Sequence, residues 1–230
     1  MQKDKQNYLY LQQVFKNSLK TYGYRRLKIA LKQEKSINFS ASKILKLMKK
    51  YSLIIKYNKR KTNFQKPSWQ KSSFPNLINQ NFHTEKTWYT DTSNLIFNNQ
   101  KHYISVIIDG KSRNILSYHI SKKLDWTLIR TSLSKAIKQR LTNNKIIIHS
   151  DQGCVYTSKN YQNYCQKNNM LISMSRKGNP IDNAPVESFF SLLKKEVLYN
   201  NKFNSMWEYL KKVKQWLKFY STKRISLNKN

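Results

Sequence analysis

The sequence predicts an α/β protein: a mixed five-stranded sheet flanked by helices, preceded by a small helical, helix-turn-helix-like module. Three observations carry that prediction. Between residues 86 and 198, strand-length apolar or Thr/aromatic runs alternate with amphipathic helical runs in the order βββαβαβα. Residues 1 to about 54 instead repeat their apolar positions at helical spacing. Between them, residues 55–85 hold two prolines, many polar residues and no sustained period, which reads as a basic linker.

Taken in order, TYGYRRLKIALKQE offers Tyr24, Leu27, Ile29, Ala30 and Leu31 to one helix, and Asn38, Phe39 and Ser40 offer a turn and a cap. In SASKILKLMKKYSLI, Ile44, Leu47, Met48 and Tyr51 follow i, i+3, i+4, i+7 spacing with lysines mostly off that stripe. Two short basic helices joined by a turn fit a DNA-binding helix-turn-helix. They fit a plain helical hairpin equally well. KTWYTDTSNLIF, HYISVIID and NILSYHIS predict three strands with short connections, an antiparallel meander turned at Asp109-Gly110. LDWTLIRTSLSKAIKQRL predicts a helix with Leu124, Leu128, Ile129, Leu133, Ala136 and Ile137 inward. KIIIHSD is short and apolar enough for a central parallel strand. A helix through YTSKNYQNYCQKN, a strand at MLISMS, a loop RKGNPIDNAP, a helix VESFFSLLKKEVL and a last helix from about Ser205 to Tyr220 complete the chain. The domain reading is therefore 1–54 as the helical module, 55–85 as the linker and 86–230 as the core.

Forty-four Lys and Arg face eleven Asp and Glu, a formal charge of +33. AT-rich coding explains Lys over Arg but not the scarcity of acids. Such a surface attracts polyanions, so nucleic acid is the expected partner. With 39% hydrophobic residues the chain is not of disordered composition, and no run approaches a membrane span. The first residues carry no apolar signal region, so a cytoplasmic protein is expected. Cys154 and Cys165 form no CxxC pair, and four scattered histidines give no zinc pattern.

With eleven acids, each can be weighed. Asp4, Glu34, Glu85, Glu196 and Glu208 lie in polar contexts and read as surface charges. Asp125 and Asp182 precede helices and read as caps, and Asp109 as a turn residue. Three remain: Asp91 interrupts an apolar strand, Asp151 ends the strand IIIHS, and Glu187 sits in the first turn of an apolar helix. A carboxylate beside a core needs a cationic partner or a metal. A Lys or Arg can serve any one of them, but three acids at strand ends and a helix start fit a divalent-metal site better.

Residues 152–186, 35 in number, separate Asp151 from Glu187. With this spacing the sequence resembles the DDE transposases and retroviral integrases. Trp88-Tyr89-Thr90-Asp91, His149-Ser150-Asp151-Gln152-Gly153 with Tyr156-Thr157-Ser158, and Gly178-Asn179-Pro180-Ile181-Asp182-Asn183-Ala184 followed by Glu187-Ser188-Phe189-Phe190 and Leu193-Lys194 resemble the three motifs of bacterial insertion-sequence transposases of the two-frame, orfB type. Tyr22-Gly23-Tyr24-Arg25-Arg26 resembles that family's helix-turn-helix segment, so the likeness runs from Tyr22 to Ile225.

The resemblance implies an RNase H-like fold and metal-dependent cleavage and strand transfer on DNA. Two Mg²⁺ ions, with Mn²⁺ as substitute, would sit on Asp91, Asp151 and Glu187, Asp91 bridging both. Lys194, at i+7 from Glu187, is expected to grip a phosphate, and Arg25 and Arg26 to touch the DNA backbone. Asn183 is expected to orient the acids or DNA, or to cap its helix. His149 is expected to be a hydrogen-bonded strand-end residue, with a contact to the leaving strand as the other reading. The implied partners are element-end and target DNA, the orfA product or a fused orfA segment, and further copies of the chain on DNA, in a bacterial, nucleoid-associated setting. Family members usually carry more sequence before Tyr22 and after Ile225, and Ser226 stands where they have a histidine. Both ends are therefore expected to be shortened. A DNA-binding remnant without catalysis and an RNase H-like nuclease that only hydrolyses are the alternatives.

Overall fold

The computed structural model describes residues 2–53, 55, 74–82, 86–140, 144–176, 179–199 and 201–227. Most of the expected 55–85 linker, and Gly178 of the third motif, lie outside the described residues. The chain packs as two compact units, residues 60–192 and residues 1–59 with 193–230.

The first unit holds the expected mixed sheet. β1 (Thr87–Phe97), β2 (Gln100–Asp109), β3 (Ile115–Ser121), β4 (Ile146–Ser150) and β5 (Met170–Met174) lie in the order β3-β2-β1-β4-β5. β1, β2 and β3 form the antiparallel meander, turned where the Asp109 carboxylate accepts from the Ser112 amide and hydroxyl at 2.6 and 2.7 Å. β4 and β5 join in parallel, so each needs a crossover. Those crossovers are α4 (Trp126–Ile137) and α5 (Lys159–Lys167). α4 starts where Asp125 accepts from Leu128 N at 3.0 Å, the cap the sequence predicts.

Ile129, Leu133 and Ala136 of α4 and Tyr161 and Cys165 of α5 pack with Trp88, Ile107, Ile148, Met170 and Met174 of the sheet. Ser132 adds a polar tie inside this apolar layer: its hydroxyl meets that of Ser105 at 2.7 Å, and its carbonyl accepts from the Ser117 hydroxyl at 2.6 Å. Buried hydroxyls are tolerated there because they satisfy one another.

A loop and a 3₁₀ turn (Pro180–Asn183) link β5 to α6 (Ala184–Leu193). Asp182 organises that loop. It does not cap the helix as expected. Its carboxylate is 1% exposed and accepts from the Arg176 amide at 2.9 Å, the Arg176 guanidinium twice at 2.9 Å, and Gln80 Nε2 at 3.2 Å. The cap reading failed because the carboxylate is taken up by Arg176, six residues earlier in the chain.

In the second unit, α1 (Gln2–Asn17), α2 (Tyr24–Lys35) and α3 (Ala41–Lys50) match the helical reading, and Ser40 caps α3 by accepting from Lys43 N at 3.2 Å. α7 (Met206–Thr222) buries Trp216, Leu217 and Phe219, and the Phe219 ring lies 5.8 Å from that of Tyr22. The grouping of residues 193–230 with the N-terminal helices rather than with the sheet rests on contacts across some 200 residues of sequence. Tyr22 Oη accepts from Ile225 N at 2.7 Å and donates to Lys223 O at 3.1 Å, and Arg26 Nε donates to Ile225 O at 2.9 Å. Among the described residues no helix is long and apolar enough to cross a membrane.

Glu196 corrects the surface reading. It lies in a π-helical turn (Lys194–Leu198), is 2% exposed, and accepts from Trp216 Nε1 and Arg224 Nη2, both at 2.7 Å. The widened turn directs inward a residue whose polar neighbours suggest solvent.

Two predictions follow from these buried acids. Glu196→Ala leaves the buried Arg224 cation uncompensated and should cost about 3–5 kcal/mol in urea unfolding, whereas Glu196→Leu with Arg224→Met should cost far less. For Asp182, burial alone raises the carboxyl pKa, but the Arg176 and Gln80 hydrogen bonds outweigh it and hold it at about 2. Its stabilisation is present above the unfolded value near ~3.9 and is lost as pH falls toward 2. Asp182→Asn should lower stability at neutral pH by roughly 1–2 kcal/mol, discounted for the exposed Arg176, and flatten the acid limb below about pH 4.

Candidate active site

The central pairing of β1 with β4 sets the site. Their parallel register matches Thr87 with Ile147, Trp88 with Ile148 and Tyr89 with His149. Two residues further along each strand direction stand Asp91 and Asp151. Side chains alternate along a strand, so Asp91 shares a face with Tyr89, and neighbouring strands run about 4.8 Å apart. The register thus brings the first two predicted acids level on adjacent strands, Asp151 being the first residue beyond β4.

Local hydrogen bonds orient both carboxylates. Asp91 Oδ1 accepts from Thr92 N at 2.6 Å, and Asp151 Oδ1 accepts from Gly153 N at 3.0 Å. A Cβ at position 153 would come within 3.1 Å of Asp151 Oδ1, so glycine there gives the carboxylate room. The loop after β4 is held to the one after β5 by Ser175 N donating to Ser150 O at 2.9 Å and Gln152 Nε2 donating to Ser175 O at 2.8 Å.

Beneath the acids lies a buried phenol that sequence reasoning did not assign a role. Tyr156 is 2% exposed, with its hydroxyl 3.5 Å from that of Thr90. Burial raises its pKa well above 10, and the charges of Asp91 and then Asp151 raise it further. One phenol therefore senses both aspartates. Glu187 stands exposed in the first turn of α6, and its pKa is raised by desolvation first and by Asp151 second. Asp151 thus acts electrostatically on both Tyr156 and Glu187.

Asn183 sits directly before α6 and is 3% exposed, with Nδ2 donating to Thr90 O at 3.4 Å and no hydrogen-bond partner at Oδ1. It ties the start of the Glu187 helix to the backbone next to Asp91.

His149 is fully buried between the Ser173 hydroxyl at 2.9 Å and the Ser175 hydroxyl at 3.0 Å, with its ring edge-on to Tyr89 at 5.8 Å. Burial lowers its pKa to about 4 against the opposing pull of Asp182, so it is neutral at physiological pH. This is the hydrogen-bonded strand-end histidine.

The basic candidates divide. Arg25 is exposed, its Nε donating to Tyr24 Oη at 3.1 Å. Arg26 spends its Nε on the Ile225 carbonyl, a structural use that its expected DNA contact did not foresee. Lys194 is half-buried and opens the π turn; α6 ends at Leu193, so the 3.6-residue spacing from which its direction was inferred stops one residue short of it.

Among the described residues no three His, Cys, Asp or Glu side chains are drawn together as a ready metal-ligating group. The donor chemistry nonetheless suits a hard divalent cation: one carboxylate on β1, a second just beyond the adjacent β4, and a third acid whose pKa is raised by burial first and by Asp151 second. Arg176 and Arg224 pair with other acids, Asp182 and Glu196.

Comparison with known proteins agrees with this architecture. Two family models described as integrase core domains match residues 83–180 and 168–225, and one described as an HTH-like domain matches residues 2–61. The chain is 33% identical over 223 residues to the putative transposase InsK for insertion sequence element IS150 of Escherichia coli, spanning 94% of this chain and 77% of that protein. It is 32% identical over 216 residues to the transposase for insertion sequence element IS904 of Lactococcus lactis, spanning 92% and 85%. Its fold is similar to a chain of the simian T-cell lymphotropic virus intasome solved with the PP2A regulatory subunit B56 gamma, at a TM-score of 0.52 and 16% identity, covering 88% of this chain and 67% of that one. An RNase H-like sheet, an HTH-like module and this extent of identity together mean that the chain belongs to the insertion-sequence transposases with an integrase core.

Proposed function

We propose that the chain cleaves and joins DNA by metal-dependent phosphoryl transfer, with Asp91, Asp151 and Glu187 as its catalytic acids. The observation that supports this reading is the register of β1 against β4, which, carried two residues further, sets the position of Asp91 level with that of Asp151. Asp91, Asp151 and Glu187 would hold Mg²⁺, or Mn²⁺ in its place, and such an ion would supply charge stabilisation to the attacking and leaving oxygens of an in-line displacement. The protein's own share is placement. The sheet holds the aspartates, while Asn183 and the Asp182 clasp position the first turn of α6 that bears Glu187. Tyr156, held protonated by burial and by two nearby negative charges, gives the aspartates a rigid apolar floor. No protein nucleophile is required, because water and then the freed 3′-hydroxyl attack.

Residues 86–230 are proposed as the catalytic part and residues 1–54 as the DNA-binding module. Arg25, Arg26 and Lys194 are the proposed phosphate contacts. Element-end and target DNA, the orfA product or a fused orfA segment, and further copies of the chain are the proposed partners, in a cytoplasmic, nucleoid-associated setting.

With the partner frame supplied, the chain should nick and join element-end DNA only when Mg²⁺ or Mn²⁺ is present. Asp91→Asn should reduce both steps by at least about a hundredfold while leaving DNA binding intact, the scale seen when an electrostatic stabiliser is removed. Gel analysis of nicked and joined products checks this. Binding without cleavage in the wild-type chain would identify a DNA-binding remnant, and cutting without joining a simple nuclease.

A further inference from the structure

The helix α7 has two faces of opposite character. Met206, Tyr209, Val213, Trp216 and Leu217 are buried. On the other side Trp207, Lys211, Lys214 and Lys218 are all exposed, at i, i+4, i+7 and i+11, a single stripe along the helix. Trp207 is 70% exposed, with Lys211 Nζ 4.7 Å from its ring centroid. Lysines one turn apart repel one another and do nothing for helix stability. An indole left in water has only its cation–π contact with Lys211 to offer the fold. Glu208, the one acid of α7, is occupied at the helix start, accepting from Asn204 N at 2.9 Å. More positive charge lies close by: burial first and Lys20 second hold the half-buried Lys212 ammonium below the usual lysine range.

We propose that this stripe is a DNA-binding surface, in which Lys211, Lys214 and Lys218 neutralise backbone phosphates and Trp207 stacks on a base exposed at the end of the substrate. The proposal rests on the reading of the chain as a DNA-joining transposase and adds a surface outside both the acidic site and the HTH-like helices. Charge complementarity selects the partner. Residues 207–218 span about 16 Å, and a duplex presents one phosphate per ~3.4 Å of axis on each strand, so several fall within reach of three ammonium groups. An aromatic beside cations is the combination that binds unpaired bases next to a phosphate backbone.

The test uses the full chain and a labelled 30-base-pair duplex with a short single-stranded tail, in EDTA, with binding followed by anisotropy as KCl is raised. The substitutions K211Q, K214Q and K218Q made together should lower the slope of log affinity against log salt by about 2–3 units. The substitutions K122Q, K123Q and K138Q remove the same charge from exposed lysines elsewhere and should change it by less than about 1 unit. Trp207→Ala should weaken binding to the tailed duplex at least about fivefold and to a blunt duplex much less. All these positions are exposed, and circular dichroism checks that each variant folds. Equal slope changes in the two lysine sets, or an unchanged slope in the α7 set, overturn the proposal. So does a changed sedimentation coefficient of the DNA-free chain with unaltered DNA binding, which would mark a protein-docking face. A wild-type chain that binds no DNA at all brings down the functional reading itself, whereas loss confined to the α7 variants supports the surface.

Discussion

The parallel pairing of β1 with β4 is the constraint on which the site depends. An antiparallel meander alone carries Asp91 but places no second acid beside it. Only when the chain crosses over through α4 and lays β4 next to β1, Tyr89 against His149, does the residue after the strand, Asp151, arrive level with Asp91. The pairing needs apolar cover, supplied by Ile129 and Leu133 of α4, and a neutral His149, supplied by burial between two serine hydroxyls. A slip of one residue would turn every side chain of β4 to the opposite face. The core that holds the fold therefore also sets the geometry of the carboxylates.

Polar burial does the rest of the positioning. Asp182, Asn183 and Tyr156 are each enclosed; Asn183 and Tyr156 meet Thr90 of β1, and Asp182 holds the 3₁₀ turn to Arg176 just beyond β5. In the other unit Glu196, Trp216 and Arg224 form a comparable buried set, and Tyr22 and Arg26 hold the backbone at Ile225. The Tyr22–Arg26 segment and the Lys223–Ile225 backbone thus meet in one structural contact. Buried charges of this kind add little net stability but make the loss of one partner costly.

Much of this was legible in the sequence. The strands announced themselves through Thr, Ile and aromatic runs, the helices through Ser40, Asp125 and the apolar stripes, and the sheet order agrees with the fold implied by the motifs. The three awkward acids were singled out by elimination and spacing, and the β1–β4 register sets the positions of the first two level, with Asp151 just beyond β4. What stayed hidden was long-range or irregular. Glu196 looked solvated because a π turn breaks the helical period, Asp182 looked like a cap because its partner lies across a loop, and Arg26 looked free because the carbonyl it binds is 199 residues away. Local periodicity carries no information about such pairs.

Uptake of Mn²⁺ by the full chain, followed through loss of the free-ion electron paramagnetic resonance signal at neutral pH, tests most directly whether these carboxylates act together as one metal site. Saturable uptake by the wild type that disappears in both Asp151→Asn and Glu187→Gln, with folding preserved, is the predicted result. Uptake unchanged by either substitution would contradict it.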